Sequence, residues 1–146
     1  MLPRWHLLLG AVFTGVIWVF ARETQMWYLL LVFLSSVIFI DLDHYMDSVI
    51  KNKSLRMSTF NKYHDKLRKV EEEDIRKGIR RRGPFHIFHT IEFHVLIGLL
   101  GFIWIGFFYV FIGMVFHSLT DIFDMASKGR FHRREFFFFN WLRNKL

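Results

Sequence analysis

The sequence has no cysteine and only two prolines among its 146 residues. Without cysteine there is no disulfide framework and no thiolate metal site, so any bound metal must use histidine, carboxylate or water. A second absence is local. From Glu23 to Ile50, and again from Gly83 to Ser127, there is no Lys or Arg. Eighteen of the twenty basic residues lie instead in Ser48–Arg82 or beyond Ala126, so the formal net charge of +7 describes two segments and not the whole chain. The stretches without basic residues still carry Asp41, Asp43, Asp47, Glu92, Asp121 and Asp124. These carboxylates need a counter-charge from protons, a metal ion or groups reaching in from the flanks.

What is plentiful is apolar. The chain is 53% hydrophobic and 19% aromatic, in long blocks that do not alternate with charge. Such blocks predict an all-α integral membrane protein with four transmembrane helices, over about residues 5–21, 26–45, 84–102 and 104–124. The first block runs into Arg22 without a small-x-small cleavage site and is read as a retained helix. In the second, Trp27 and Tyr28 stand at the interfacial level. Met26 to Ile40 would reach only about 22 Å, so this helix is expected to continue to Tyr45. Residues 84–124 as a single helix would be about 60 Å long, twice a bilayer core. They are therefore expected to turn near Gly98, Gly101 or Gly106, which brings both polar ends to one membrane face. Pro84 suits the first turn of the third helix.

Residues 48–82 form a basic loop with twelve basic and five acidic residues. Acid-first pairs at Asp65 and Lys69, Glu72 and Arg76, and Glu73 and Lys77 predict an exposed helix. Its stripe of Phe60, Tyr63, Leu67 and Val70 suits a membrane surface or a cytoplasmic protein partner, and a solvated connector fits equally well. The tail, 127–146, mixes six basic residues with Phe136 to Phe139 and Trp141, a composition for gripping membrane lipid. The basic loop and tail place both termini in the cytoplasm, in a multi-pass protein of the cell membrane. No nucleic-acid partner is expected.

The polar residues gather at helix ends. His117, Asp121 and Asp124 share one face of a helix, His86, His89 and Glu92 another, and Asp41, Asp43, His44 and Asp47 close the second helix. Carboxylates at helix C-termini oppose the dipole by about 0.3–1 kcal/mol each, so capping is not their purpose. A divalent cation shared by carboxylates and neutral imidazoles accounts for both charge and placement; helix ends wetted by water are the plainer alternative. The candidate ligands are Asp41, Asp43, His44, His86, His89, His117 and Asp121. Zinc is the first choice of ion, with manganese or magnesium as alternatives. His94 is expected to be packed or lipid-facing, and His6 and His64 are given no role. His132, Arg133 and Arg134 follow the fourth helix closely enough to approach the site, where an Arg could hold a phosphate, but a lipid-headgroup contact is the first assignment.

Asp41-Leu42-Asp43-His44, then His86 and His89-Thr90, then His117-x-x-x-Asp121, in this order, together resemble the membrane-bound, metal-dependent hydrolases of bacteria and archaea. The likeness spans Asp41 to Asp124. It departs at Ile40, where that family has Pro, and after His86, where it has Arg. The resemblance implies hydrolysis of an ester or phosphoester, lipid-linked, at the cytoplasmic face. Glu92 or Asp124 is then the proton acceptor, with Glu92 placed about 12 Å into the third helix by counting from Pro84. The competing expectation is a non-enzymatic membrane protein, either a cation or proton carrier or an anchor that recruits a partner.

Overall fold

The computed structural model describes residues 3–146, with side chains described from Trp5 onward. Among these residues the chain is helical and has no strand. Helix α1 spans Pro3–Phe20. Helix α2, Met26–Leu34, runs through a π-helical turn at Ser35–Phe39 into α3, Leu42–Asn52. Helix α4 covers Met57–Arg76, α5 Ile91–Leu100, α6 Ile105–Ser127 and α7 Phe138–Arg143. Short 3-10 turns occupy Ile87–His89 and Phe131–Arg133.

Two of these helices, Met26–Asn52 and Ile105–Ser127, are long and apolar enough to cross a membrane. Within their most apolar windows, 33% and 28% of the residues are buried. The third helix departs from the sequence expectation. It was placed from Pro84 to residue 102, but α5 has ten residues and begins at Ile91. Thr90 is its N-cap, with an extended backbone and a hydroxyl that accepts from Phe93 N at 3.4 Å. A capping hydroxyl satisfies an orphan N–H, whereas proline at a first turn only avoids presenting one. The cap therefore sets the start, and Pro84 lies in coil.

Packing centres on the π-turn. Helix α6 runs along α2 and the π-turn, with α1 on one side and α5 on the other. Glycines permit the close approach. A Cβ on Gly113 would overlap Ser35 Oγ and Val32 O, and one on Gly10 would stand 2.6 Å from Ser36 Oγ. Ser35 and Ser36 turn their hydroxyls back onto the carbonyls of Leu31, Val32 and Phe33, so neither leaves a buried donor unsatisfied.

The burial pattern is inverted relative to a soluble domain. Among the described residues, five hydrophobic ones are buried, Leu29, Val32, Ile40, Met114 and Met125, against thirteen polar or charged ones. Large apolar side chains face outward, Phe20 at 86% and Phe102 at 90% exposure among them. At the end where α1 meets α2 and α5 meets α6, the Trp27 ring lies 5.4 Å from Trp104, and Tyr28 stacks on Tyr109 at 4.6 Å. At the opposite end lie the histidines and aspartates.

Helix α4 folds back against α3. Tyr63 donates to Asp47 Oδ2 at 2.6 Å, and Phe60 meets the Tyr45 and His64 rings. The upper half of the apolar stripe is thus spent within the chain. Of the charge pairs on α4, Glu73–Lys77 forms at 2.6 Å, while Asp65 takes Arg68 at 3.0 Å.

The tail docks too. Gly129, at φ +63°, lets the chain reverse after α6, and Gly83 N and Ile91 N then donate to Arg133 O and Phe136 O. Trp141 stacks on Phe85 at 4.2 Å.

Candidate metal centre

Four side chains from three parts of the chain converge at the polar end. Asp41 follows the π-turn, His89 closes the 3-10 turn before α5, and His117 and Asp121 stand one helical turn apart on α6. His89 Nε2 lies 3.6 Å from Asp41 Oδ1 and 3.7 Å from Asp121 Oδ2. His117 Nε2 lies 3.5 Å from Asp41 Oδ1 and 3.7 Å from Asp121 Oδ2. These separations are too long for good hydrogen bonds. They approach the spacing of donors around a tetrahedral zinc, about 3.3 Å for bonds of about 2.0 Å.

The outer ring nitrogens explain the orientation. His117 Nδ1 donates to Ser36 O at 2.9 Å, so in the neutral ring Nε2 carries a lone pair aimed inward. His89 Nδ1 donates to Asp43 Oδ2 at 3.2 Å, and the same oxygen accepts from Phe88 N at 3.0 Å. Histidine anchored through its far nitrogen to a carboxylate or carbonyl is the outer arrangement of metal-binding imidazoles. Both Nε2 atoms are buried and have no hydrogen-bond partner. An unpaired buried acceptor costs about 1–3 kcal/mol, and the protein carries two of them facing two carboxylates. The donor set therefore fits a divalent ion. Zinc suits two imidazoles with two carboxylates, and manganese suits the carboxylates better than the imidazoles.

Among the described residues, three groups of side chains could each hold an ion, the first two sharing His44: Asp41, His44 and His89; Asp43, His44 and His86; and His6, His117 and Asp121. In the second, His86 Nδ1 stands 3.5 Å from Asp43 Oδ1, and the His44 and His86 rings lie 3.8 Å apart.

His6 belongs to the site, although nothing in its apolar helix announces it. Its Nε2 lies 3.3 Å from Asp121 Oδ1, and its ring stacks on His117 at 4.1 Å. Only the register of α1 against α6 brings it there. Arg134 also turns inward, and its Nη2 donates to Asp121 Oδ2 at 2.8 Å. Its neighbours do not. Arg133 pairs with Asp74 at 3.4 Å and Arg130 with Glu71 at 2.7 Å, stapling α4 to the end of α6.

The expected proton acceptors are held elsewhere. Among the described residues, neither Glu92 nor Asp124 falls in a group that could hold a metal. Glu92 lies in the first turn of α5, not 12 Å along it, and accepts from Phe138 N at 2.9 Å and Phe139 N at 3.3 Å at the start of α7. Asp124 accepts from Lys128 and from Arg130 Nη2 at 2.6 Å. Asp47 takes Tyr63 and Lys51. Flanking bases thus neutralise Asp47, Asp121 and Asp124, while Asp41 and Asp43, among the described residues, meet histidines and no Lys or Arg.

His94 is packed, not lipid-facing. Its Nδ1 donates to Thr90 O at 2.8 Å and its Nε2 lies 2.9 Å from Ser118 Oγ, tying α5 to α6. His64 leans on the His44 ring at 5.6 Å, outside the cluster. Comparison with protein-family models, with curated proteins and with solved structures finds no match to this chain.

Proposed function

We propose that this chain is a membrane-embedded, metal-dependent hydrolase whose site opens at the cytoplasmic end of a four-helix bundle. The observation that carries this reading is the pair of buried, unpartnered Nε2 atoms of His89 and His117 facing Asp41 and Asp121. A metal bound there supplies Lewis acidity and makes nearby water acidic enough to attack an ester or phosphoester near neutral pH. The protein's own part is to hold the donors. Asp43 and Ser36 O fix the two imidazoles, and His6 and Arg134 hold Asp121.

The membrane assignment rests on the inverted burial and on the one-sided polarity. Helix α1, the α2–α3 helix and α6 are the full crossings. Helix α5 runs only about 15 Å, so the fourth crossing is completed by the coil at 84–90. Irregular backbone is tolerated at membrane depth where it lines the protein interior, and His86, His89 and Thr90 in this coil are all buried. The aromatic pairs at the far end suit the outer interface, and the basic loop suits the cytoplasm. A lipid-linked substrate could then reach the site sideways from the bilayer. A carrier fits less well, because the outer halves of α5 and α6 are lined with Val, Leu, Ile, Phe and Gly.

Elemental analysis of detergent-purified protein tests the reading. A stoichiometric transition metal should be retained and should be lost from His117→Ala and Asp121→Ala. Hydrolysis of p-nitrophenyl phosphate or acetate should stop on chelation and return on adding metal. A folded wild-type protein that binds no zinc or manganese at micromolar concentration overturns it.

A further inference from the structure

Beside the centre described above lies a second pair of facing, unpartnered atoms. Asp43 Oδ1 and His86 Nδ1 stand 3.5 Å apart, each buried without a hydrogen-bond partner. Their residues are 7% and 8% exposed, so water cannot serve both freely. Two buried polar atoms left unmade at contact distance call for something between them. The other oxygen of Asp43 is already committed to Phe88 N and His89 Nδ1, which fixes the direction in which Oδ1 points. The His44 ring, its centroid 3.8 Å from that of His86, completes a set of three donors that can close on one point.

We infer that Asp43, His44 and His86 hold a second divalent ion, making the centre binuclear. The inference rests on the reading of Asp41, His89, His117 and Asp121 as the first site and deepens it. A dication at the second site would meet three side-chain donors, which leaves a position for water or a substrate oxygen, and a single carboxylate, which leaves one positive charge uncompensated. That excess selects an anionic ligand, and paired metal sites are the usual clamp for the oxygens of a phosphoester. Asp43 joins the sites physically, since its Oδ2 orients His89 of the first while its Oδ1 faces the second. The substrate class is accordingly a phosphoester in preference to a carboxylic ester.

Metal counting and electron paramagnetic resonance test this without relying on activity. Wild-type protein in detergent, loaded with Mn2+ and freed of loosely held ion by gel filtration, should retain two ions per chain. Its spectrum should show coupling between neighbouring ions. His86→Ala should hold one ion and give the spectrum of an isolated site. One ion in the wild type with no coupling overturns the second site and leaves the first standing, and none overturns both. Two coupled ions persisting in His86→Ala would remove His86 from the site. Should His86→Ala fail to fold, the wild-type count and spectrum decide alone. Inorganic phosphate should alter the wild-type spectrum and acetate should not; the reverse order overturns the phosphoester assignment.

Discussion

Substituting Gly113 by alanine tests whether the glycine contact between α6 and the π-turn positions the candidate metal centre. In an ordinary helix interior this change stabilises by about 1 kcal/mol, because alanine loses less backbone freedom than glycine. At residue 113 the new Cβ would overlap Ser35 Oγ and Val32 O and come within 3.0 Å of Ser36 N. Two of those atoms are backbone of a packed helix and cannot swing aside, so α6 must move. Overfilling a packed interior costs about 1–3 kcal/mol, which with two backbone atoms in the way should exceed the helix gain and leave a net loss of up to about 2 kcal/mol. The functional consequence is larger than the loss of stability. His117 is one turn further along the same face of α6, and its bond to Ser36 O is the contact that a displaced helix would break. Losing an outer hydrogen bond to a ligating histidine weakens metal affinity about 10–100-fold. Gly15 supplies the control, since a Cβ there meets nothing within 4 Å. Thermal unfolding in detergent, followed by tryptophan fluorescence, should show Gly15→Ala unchanged or more stable and Gly113→Ala less stable by a few degrees. Zinc titration should show weakened binding in Gly113→Ala alone. Equal behaviour of the two variants would mean that the contact does not hold the site.

His6→Ala removes the ring that steadies Asp121 and should weaken metal binding about tenfold without abolishing it, as calorimetric titration can measure. Because an imidazole must shed its proton to ligate, apparent affinity should climb from about pH 5 to about pH 7 and then level off. An affinity flat over that range would mean that neither His89 nor His117 is a ligand. A cysteine placed at Lys62 on α4 should resist membrane-impermeant thiol reagents in intact cells and react after permeabilisation; labelling of intact cells would reverse the orientation. Glu92→Gln should leave the metal content unchanged and alter turnover less than about twofold, since its carboxylate serves the amides of Phe138 and Phe139; a loss of about 10² would return it to the mechanism as a proton acceptor.

The parts of the fold legible in the sequence are those fixed by local pattern. Apolar runs marked α1 and α6 to within a few residues, because a long apolar stretch is a local signal, whereas the second run, expected to end at Tyr45, stops as α2 at Leu34 and resumes as α3 to Asn52. The start of α5 was misplaced for an equally local reason. Pro84 and Thr90 are both helix-start signals, and the chain obeys the hydroxyl cap. The seven-residue shift from Pro84 to Ile91 carried Glu92 from the apparent interior of a helix to its first turn, and a catalytic role inferred from depth went with it. The π-turn at Ser35–Phe39 left no such signal. Its serines read as ordinary membrane-helix serines, and the carbonyl that anchors His117 becomes visible only once α6 is laid against it.

The site divides along the same line. Asp41, Asp43, His44, His86, His89, His117 and Asp121 could be named from spacing because each lies near other polar residues in the chain and each stands at a helix end. His6 could not, and for Arg134 a lipid contact came before the site. His6 is a single imidazole in an apolar helix, and its meaning comes from Asp121, more than a hundred positions later. Arg134 sits in a basic, aromatic tail whose composition suits lipid, and it is the reversal at Gly129 that aims it at Asp121. Local spacing therefore identified donors able to ligate, and the long-range packing supplied the groups that orient them. That division has a chemical reason. A ligand's identity is a property of its side chain, whereas the hydrogen bond that fixes its tautomer comes from wherever the chain happens to return. In this protein the returns are Ser36 to His117, Asp43 to His89 and His6 to Asp121, each between segments distant in sequence.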